Sequence, residues 1–304
     1  MAPSSDQNPN LPSSPAQLIH RLRTEDFVIT AVDAAGGGVM GAKKLKLFFP
    51  NDEFTIDVKW KAAPAGGEGW NNSPRREIGA YAVQELFLDP DNYPVPPVVA
   101  RGISLDAYGV VDKDAVPNIE GTRCVFGAMA AWLENVEQPK HAFDPKRFSS
   151  DRQYAFHFAN LNLLAYLIAH RDARSNNFLM PKDPSIPRVF SIDNGIAFGG
   201  VLYNFFTWHF NEIRTSGLPK ASIDRLRRVS RETLSELGVV GELRADRAGV
   251  LRTVTPGENI DPHVGTRVAS GRVQLGLTVD EIDAIATRLQ ELLARIDAGE
   301  LAVF

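Results

Sequence analysis

The sequence predicts an α+β fold in two parts, a small β-rich half with one helix and a larger, mainly helical half. Three observations carry this. Between residues 25 and 61, short runs such as "AKKLKLFF" and "FTIDVKWK" have the length and alternation of strands. "NNSPRREIGAYAVQELFL" then reads as a single helix that starts at Ser73-Pro74. Beyond residue 126, the longest patterned stretches, "RQYAFHFANLNLLAYLIAH" and "LTVDEIDAIATRLQELLARIDAG", are helical.

Taken in order, residues 1–24 are rich in Ser, Pro and Asn and read as a disordered tail without the apolar segment of a signal peptide. "EDFVITAVD" is the first strand, and "AAGGGVMG" links it to "AKKLKLFF". Three consecutive glycines suit a flexible hairpin. They equally suit a loop whose N–H groups approach phosphates. In "FTIDVKWK", Phe54, Ile56, Val58 and Trp60 fall on one face, with Asp57, Lys59 and Lys61 on the other. On the helix, Ile78, Ala82 and Leu86 make an apolar row beside Glu77, Tyr81 and Glu85.

In the second half, "GTRCVFG" reads as a short buried strand and "AMAAWLENV" as a helix after it. "ASIDRLRRVSRETLSELG" reads as one amphipathic helix ending at Gly238. Thr278 and Glu281 form a capping box for the last helix, which Gly299 stops. Residues 239–276 show no clean period.

Composition limits the function classes. A chain of 304 residues, 44% of them hydrophobic, can bury a full core. A formal charge of -4 with interspersed signs argues against nucleic acid or an anionic membrane as the main partner. No apolar run reaches the length of a transmembrane span. The one cysteine, Cys124, rules out an internal disulfide and a Cys-based zinc cluster, and its apolar strand marks it as core. A reduced, cytoplasmic setting is the simplest expectation. The basic stretches "KKLK" and "RLRR" read as solvated faces.

The chemistry concentrates in "AHRDARSNNFLMPKDPSIPRVFSIDNGIAFGG". Asp172 emerges just past the buried helix, Asn177 follows five residues on, and Asp193 closes the short apolar strand "RVFSI". Phosphoryl transfer needs a carboxylate near the attacking hydroxyl, oxygen ligands for a divalent cation and a cation on the phosphates. A loop followed by a hairpin lets these three side chains converge.

"HRDARSNN" followed by "IDNG" resembles the catalytic loop and metal-binding motif of the protein-kinase-like superfamily, with Asn194 where the common motif has Phe. "REIGAYAVQELFLDPDNYPVPPVVARG", "FGAMAAWLENV" and "SIDNGIAFGG" resemble segments of an atypical branch, the Fam20-type kinases and their bacterial relatives, akin to HipA-like and phosphatidylinositol 4-kinase-like enzymes. The similarity runs in order from Phe54 to Gly200.

The resemblance implies a bilobal protein-kinase-like fold: a small lobe over residues 25–125, with Gly loop, Lys strand and Glu helix, and a helical lobe over 126–304 holding the catalytic and metal-binding loops. It implies ATP with Mg2+ or Mn2+ as cofactors, and a hydroxyl-bearing protein or small molecule as acceptor. Asp172 would orient or deprotonate the acceptor. Asp193 and Asn177 would bind the metal, and Glu77 would pair with the phosphate-binding lysine or lie at the metal. Both Lys59 and Lys61 suit that lysine. Gly36, Gly37 and Gly38 would meet the phosphates, and the backbone of Val125, Phe126 and Gly127 would meet the adenine as a hinge. No Ala-Pro-Glu motif follows Asp193, so a peptide-docking segment is not expected. The rival readings are a pseudokinase acting as a nucleotide-binding interaction module, an AMP transferase on the same fold, and small-molecule or lipid kinases.

Overall fold

The chain folds into a helix where a tail is expected. In the computed structural model, which describes residues 8–35, 41–70, 72–141, 143–199, 212–269 and 271–304, helix α1 spans Pro15–Thr24. Ser14 and Gln17 close a capping box at its start. The expectation of disorder fails because Leu18 and Leu22, four residues apart on one helix face, are both fully buried. Their spacing outweighs the Ser/Pro composition around them.

Strands β1 (Val28–Ala34), β2 (Lys43–Phe49) and β3 (Phe54–Ala62) follow, then α2 (Pro74–Glu85), β4 (Val98–Ser104), the short α3 (Leu105–Tyr108) and β5 (Cys124–Ala131). The five strands make one sheet in the order β1-β2-β3-β5-β4, antiparallel at every junction. Its two faces separate by residue parity. Ile56, Val58, Trp60, Val99 and Met129 pack with Leu18 and Leu22 of α1. Val98, Ala100, Phe126 and Ala128 point the other way, into a core shared with α2.

Several expectations are corrected here. "AMAAWLENV" is no helix: its first residues extend β5, which pairs with β3 and β4 along its length. Burial on both faces in a sheet interior outweighs the helix propensity of its alanines. A lobe boundary at residue 125 therefore falls inside a strand. Ser73 makes no side-chain cap on α2, its hydroxyl donating instead to Glu68 Oε1 at 3.2 Å. Tyr81, expected beside the apolar row of α2, is itself buried, while Ala82 is only partly so.

The second half contains β6 (Val136–Glu137), α4 (Pro145–Ser150), α5 (Arg152–Leu167), β7 (Phe178–Pro181), β8 (Phe190–Ser191) and β9 (Gly217–Leu218). Helix α5 is buried from Phe158 onward and runs through the centre of the core. The predicted single helix at 221–238 is two, α6 (Lys220–Leu226) and α7 (Arg231–Ser235). Ser230 breaks it, accepting the Thr233 N–H at 3.1 Å as a new N-cap.

Residues 239–276 form a second sheet that periodicity does not reveal. Strands β10 (Gly241–Ala245), β11 (Leu251–Val254), β12 (Thr266–Ala269) and β13 (Arg272–Leu275) pair in the order β11-β10-β13-β12. It packs on β4, with Leu251 against Gly102, and the Arg123 N–H donates to Gly249 O at 2.7 Å. Helix α8 (Val279–Asp297) carries the expected Thr278–Glu281 box, and β14 (Ala302–Val303) pairs with β9. Among the described residues, no helix is long and apolar enough to cross a membrane. The basic stretches are partnered: Lys44 and Lys46 with Asp57, Arg225 with Asp89, and Arg227 with Asp297.

Candidate active site

The site forms where the polar face of β3 meets the loop after β8. Strand parity turns Lys59 and Lys61 away from the α1 side of the sheet, opposite Ala130 and Ala128 of β5. Those small neighbours leave the lysine stems free to extend. Lys61 Nζ lies 3.0 Å from Asp193 Oδ1 and Lys59 Nζ lies 3.8 Å from the same oxygen. The Lys61 side chain is 8% exposed and that of Lys59 26%, so the two are not equivalent.

Asp193 is delivered by a hairpin. Phe178 pairs with Ser191 and Leu179 with Phe190, and the Ile192 N–H donates to Asn177 O at 2.9 Å. The next residue, Asp193, adopts φ 61°, left-handed backbone that costs about 1–3 kcal/mol in a non-glycine residue. Two more such residues lie nearby, Ala169 at φ 44° and Phe198 at φ 61°. The Phe198 N–H donates to Ile168 O at 2.7 Å, which clips the loop to the end of α5. Arg288 donates to Leu167 O at 2.9 Å and satisfies another terminal carbonyl of the same helix.

Glu77 reaches this loop from the first turn of α2. Its Oε2 accepts the Asn194 N–H at 2.9 Å. Burial raises its carboxyl above the usual range, against the pull of Lys61. Burial also works to raise Asp193, but there the ammonium groups of Lys59 and Lys61 prevail and hold it below the usual carboxylate range. One carboxylate is thus fixed as an anion while its neighbour is pushed toward the neutral form.

Asp172 stands on the turn after α5 and is held by two partners. Asn177 Nδ2 donates to Asp172 Oδ2 at 2.7 Å and to its backbone O at 2.9 Å, and Arg174 Nε lies 2.6 Å from Oδ1. His170, fully buried just before it, adds to the field on Asp193.

The structure therefore brings Lys59, Lys61 and Glu77 to the Asp193 loop, and joins Asp172 to Asn177 at the base of the same hairpin. Gly36, Gly37 and Gly38 lie outside the described residues. Val125, Phe126 and Gly127, expected to be a hinge, lie within β5, where the Phe126 backbone is hydrogen-bonded inside the protein. The Phe126 N–H donates to Asn118 Oδ1 at 2.7 Å, and Phe126 O accepts from Asn118 Nδ2 at 2.7 Å and the Ala63 N–H at 2.9 Å. Gly127 serves close packing instead: a Cβ there would fall 2.4 Å from Lys61 O. Sequence reasoning missed Arg174 and the double use of Asn194. The Asn194 side chain accepts the Ser191 hydroxyl at 3.1 Å while its N–H serves Glu77. The signal for Arg174 was its position two residues beyond Asp172.

Hard oxygen donors suit Mg2+ or Mn2+. The Asn177 amide turns its nitrogen to Asp172, which leaves its carbonyl oxygen as the end able to ligate a cation. Among the described residues, no three His, Cys, Asp or Glu side chains converge as a self-sufficient metal cage. No protein-family model matches the chain, and comparison with curated proteins finds no match.

Proposed function

We propose that the chain is an ATP- and metal-dependent kinase that transfers a phosphoryl group to a hydroxyl of a protein or small molecule, on a bilobal protein-kinase-like fold. The observation that carries this reading is the meeting of Lys59 and Lys61 with Asp193, from a hairpin whose first strand follows Asn177 and its partner Asp172. In this reading the small lobe takes in α1 and extends to Ala131, where β5 ends.

Each residue has a task in that chemistry. Asp172, held by Asn177 and Arg174, orients the acceptor hydroxyl and takes its proton. Lys61, the more buried of the two lysines, and Lys59 face the anionic phosphates. Glu77 fixes the Asn194 N–H and with it the angle at which Asp193 is presented. Asp193 and Asn177 would hold the cation, which when bound supplies charge neutralisation on the phosphates. Catalysis of this kind is positioning plus electrostatics, so it depends on the strained loop at Asp193 keeping its shape.

The test is calorimetric titration of the purified chain with ATP and GTP, with and without Mg2+ or Mn2+, beside Asp193→Ala. Metal-dependent ATP binding that the variant loses is the expected result, with labelled ATP then used to find the acceptor. Absence of nucleotide binding under every metal would sink the reading in favour of an interaction module.

A further inference from the structure

A hollow lies away from the candidate site, between α1, α2 and the turn at residues 90–93. It has a volume of about 430 Å³ and is lined in part by Ile19, Arg23, Tyr81, Glu85, Pro90 and Tyr93. That volume lies within the range of small-molecule sites, roughly 300–1,000 Å³.

Its walls are fixed before any ligand arrives. The Tyr81 and Tyr93 rings meet edge to face with centroids 5.4 Å apart. Gln84 clamps the next stretch of chain, donating to Val95 O at 3.1 Å and accepting the Val95 N–H at 2.9 Å. Pro94 O accepts the Ser191 N–H at 2.9 Å, which ties the same turn to β8. On the other side, Arg101 donates to the carbonyls of Leu22, Arg23 and Glu25 and so anchors the end of α1.

The lining combines three chemistries. Tyr81, Tyr93, Ile19 and Pro90 offer an aromatic and apolar wall. Glu85 brings a carboxylate and Arg23 a guanidinium. Burial raises the Glu85 carboxyl above its usual range while the Arg23 charge pulls the other way, yet the two form no ion pair within 4.0 Å, and among the described residues neither side chain has another ion-pair partner. A hollow with one unpaired carboxyl group, one unpaired guanidinium and an aromatic wall is complementary to a zwitterion with an apolar side chain.

We propose that this hollow binds a free amino acid with an aromatic side chain, its ammonium on Glu85, its carboxylate on Arg23 and its ring against Tyr81 and Tyr93. The assignment is independent of the phosphotransferase reading.

Calorimetric titration of the full chain with L-phenylalanine, N-acetyl-L-phenylalanine and L-phenylalaninamide tests it. The free amino acid binds saturably. Removing either charge weakens binding by about tenfold or more, the loss expected for one charge-assisted contact. Glu85→Gln and Arg23→Gln, both substitutions at the rim of the hollow, weaken the free amino acid by a similar factor. Circular dichroism and the melting temperature confirm that both variants fold. Three results would each overturn the proposal: no saturable binding of L-phenylalanine, equal binding of all three compounds, or folded variants that bind like the parent.

Discussion

Lys61 Nζ sits 3.0 Å from Asp193 Oδ1, a contact across 132 residues of chain, while Lys59 reaches the same oxygen only to 3.8 Å. The closer lysine is also the more buried, so its removal leaves the buried Glu77 carboxyl without its main counter-ion and Asp193 with Lys59 alone. Lys61→Ala is expected to cost about 2 kcal/mol, a discounted figure for breaking a buried pair, since Asp193 keeps some solvent. Lys59→Ala is expected to cost under about 1 kcal/mol. Urea unfolding of both variants measures this, and equal losses would contradict the division of roles.

Asp172 is held in place without contributing to the Lys–Asp193 contact. Replacing it is therefore expected to separate binding from chemistry. In Asp172→Ala, ATP affinity should stay within about threefold, while release or transfer of labelled phosphate falls by about 10²–10⁴-fold, the usual loss for a positioned base. Wild-type turnover in this variant would remove Asp172 from the mechanism.

How much of this was legible depends on the kind of signal. Lys59, Lys61 and Glu77 could be read from a strand and a helix whose periodicities fix side-chain direction, and Asp172 and Asn177 from their spacing on one loop. What failed was local pattern that tertiary contacts override. "AMAAWLENV" carries helix-forming residues, yet its first four belong to a central strand, and α1 hides a two-leucine stripe in a Ser- and Pro-rich setting. The sheet at 241–275 escaped because its strands are four or five residues long and are separated by polar turns. Such strands are specified by pairing partners far along the chain, which no local window contains.

Gly127 links the misread strand to the site. A Cβ at this position would lie 2.4 Å from Lys61 O and 2.9 Å from Ala62 Cα, both backbone atoms that cannot swing aside. Gly127→Ala should therefore separate β5 from β3, cost about 1–3 kcal/mol and displace Lys61. Gly241, where a Cβ would meet nothing within 4 Å, provides the control, and Gly241→Ala should be nearly neutral. Thermal unfolding of the pair checks the contrast.

Arg101 is the fastener of α1. Burial pulls its guanidinium down to about 10, and it donates to the carbonyls of Leu22, Arg23 and Glu25 at the helix end. Arg101→Ala leaves those carbonyls without their donor and is expected to cost about 2 kcal/mol. Hydrogen exchange should accelerate selectively in α1, and unchanged protection there would show that Leu18 and Leu22 alone hold the helix.

Glu242 sets the acid limit of the second sheet. Its side chain is fully buried, and burial opposes ionisation. Arg272 at 2.7 Å, the Gly257 N–H at 2.9 Å, Gln274 at 3.0 Å and Arg244 at 3.0 Å nevertheless hold its carboxyl at about 2, below the ordinary 4.5. Because the folded value is the depressed one, the unfolded chain takes up the proton first. The stabilisation is complete above the ordinary value and is lost as pH falls from there toward about 2. Glu242→Gln is expected to cost about 2 kcal/mol near neutral pH, because Arg272 and Arg244 retain access to water. The gap between parent and variant should then narrow as pH falls below about 4.5. Urea unfolding across that range tests the sign directly: a gap that widens on acidification would mean that Glu242 is buried as the neutral acid and that the surrounding arginines are not its counter-ions.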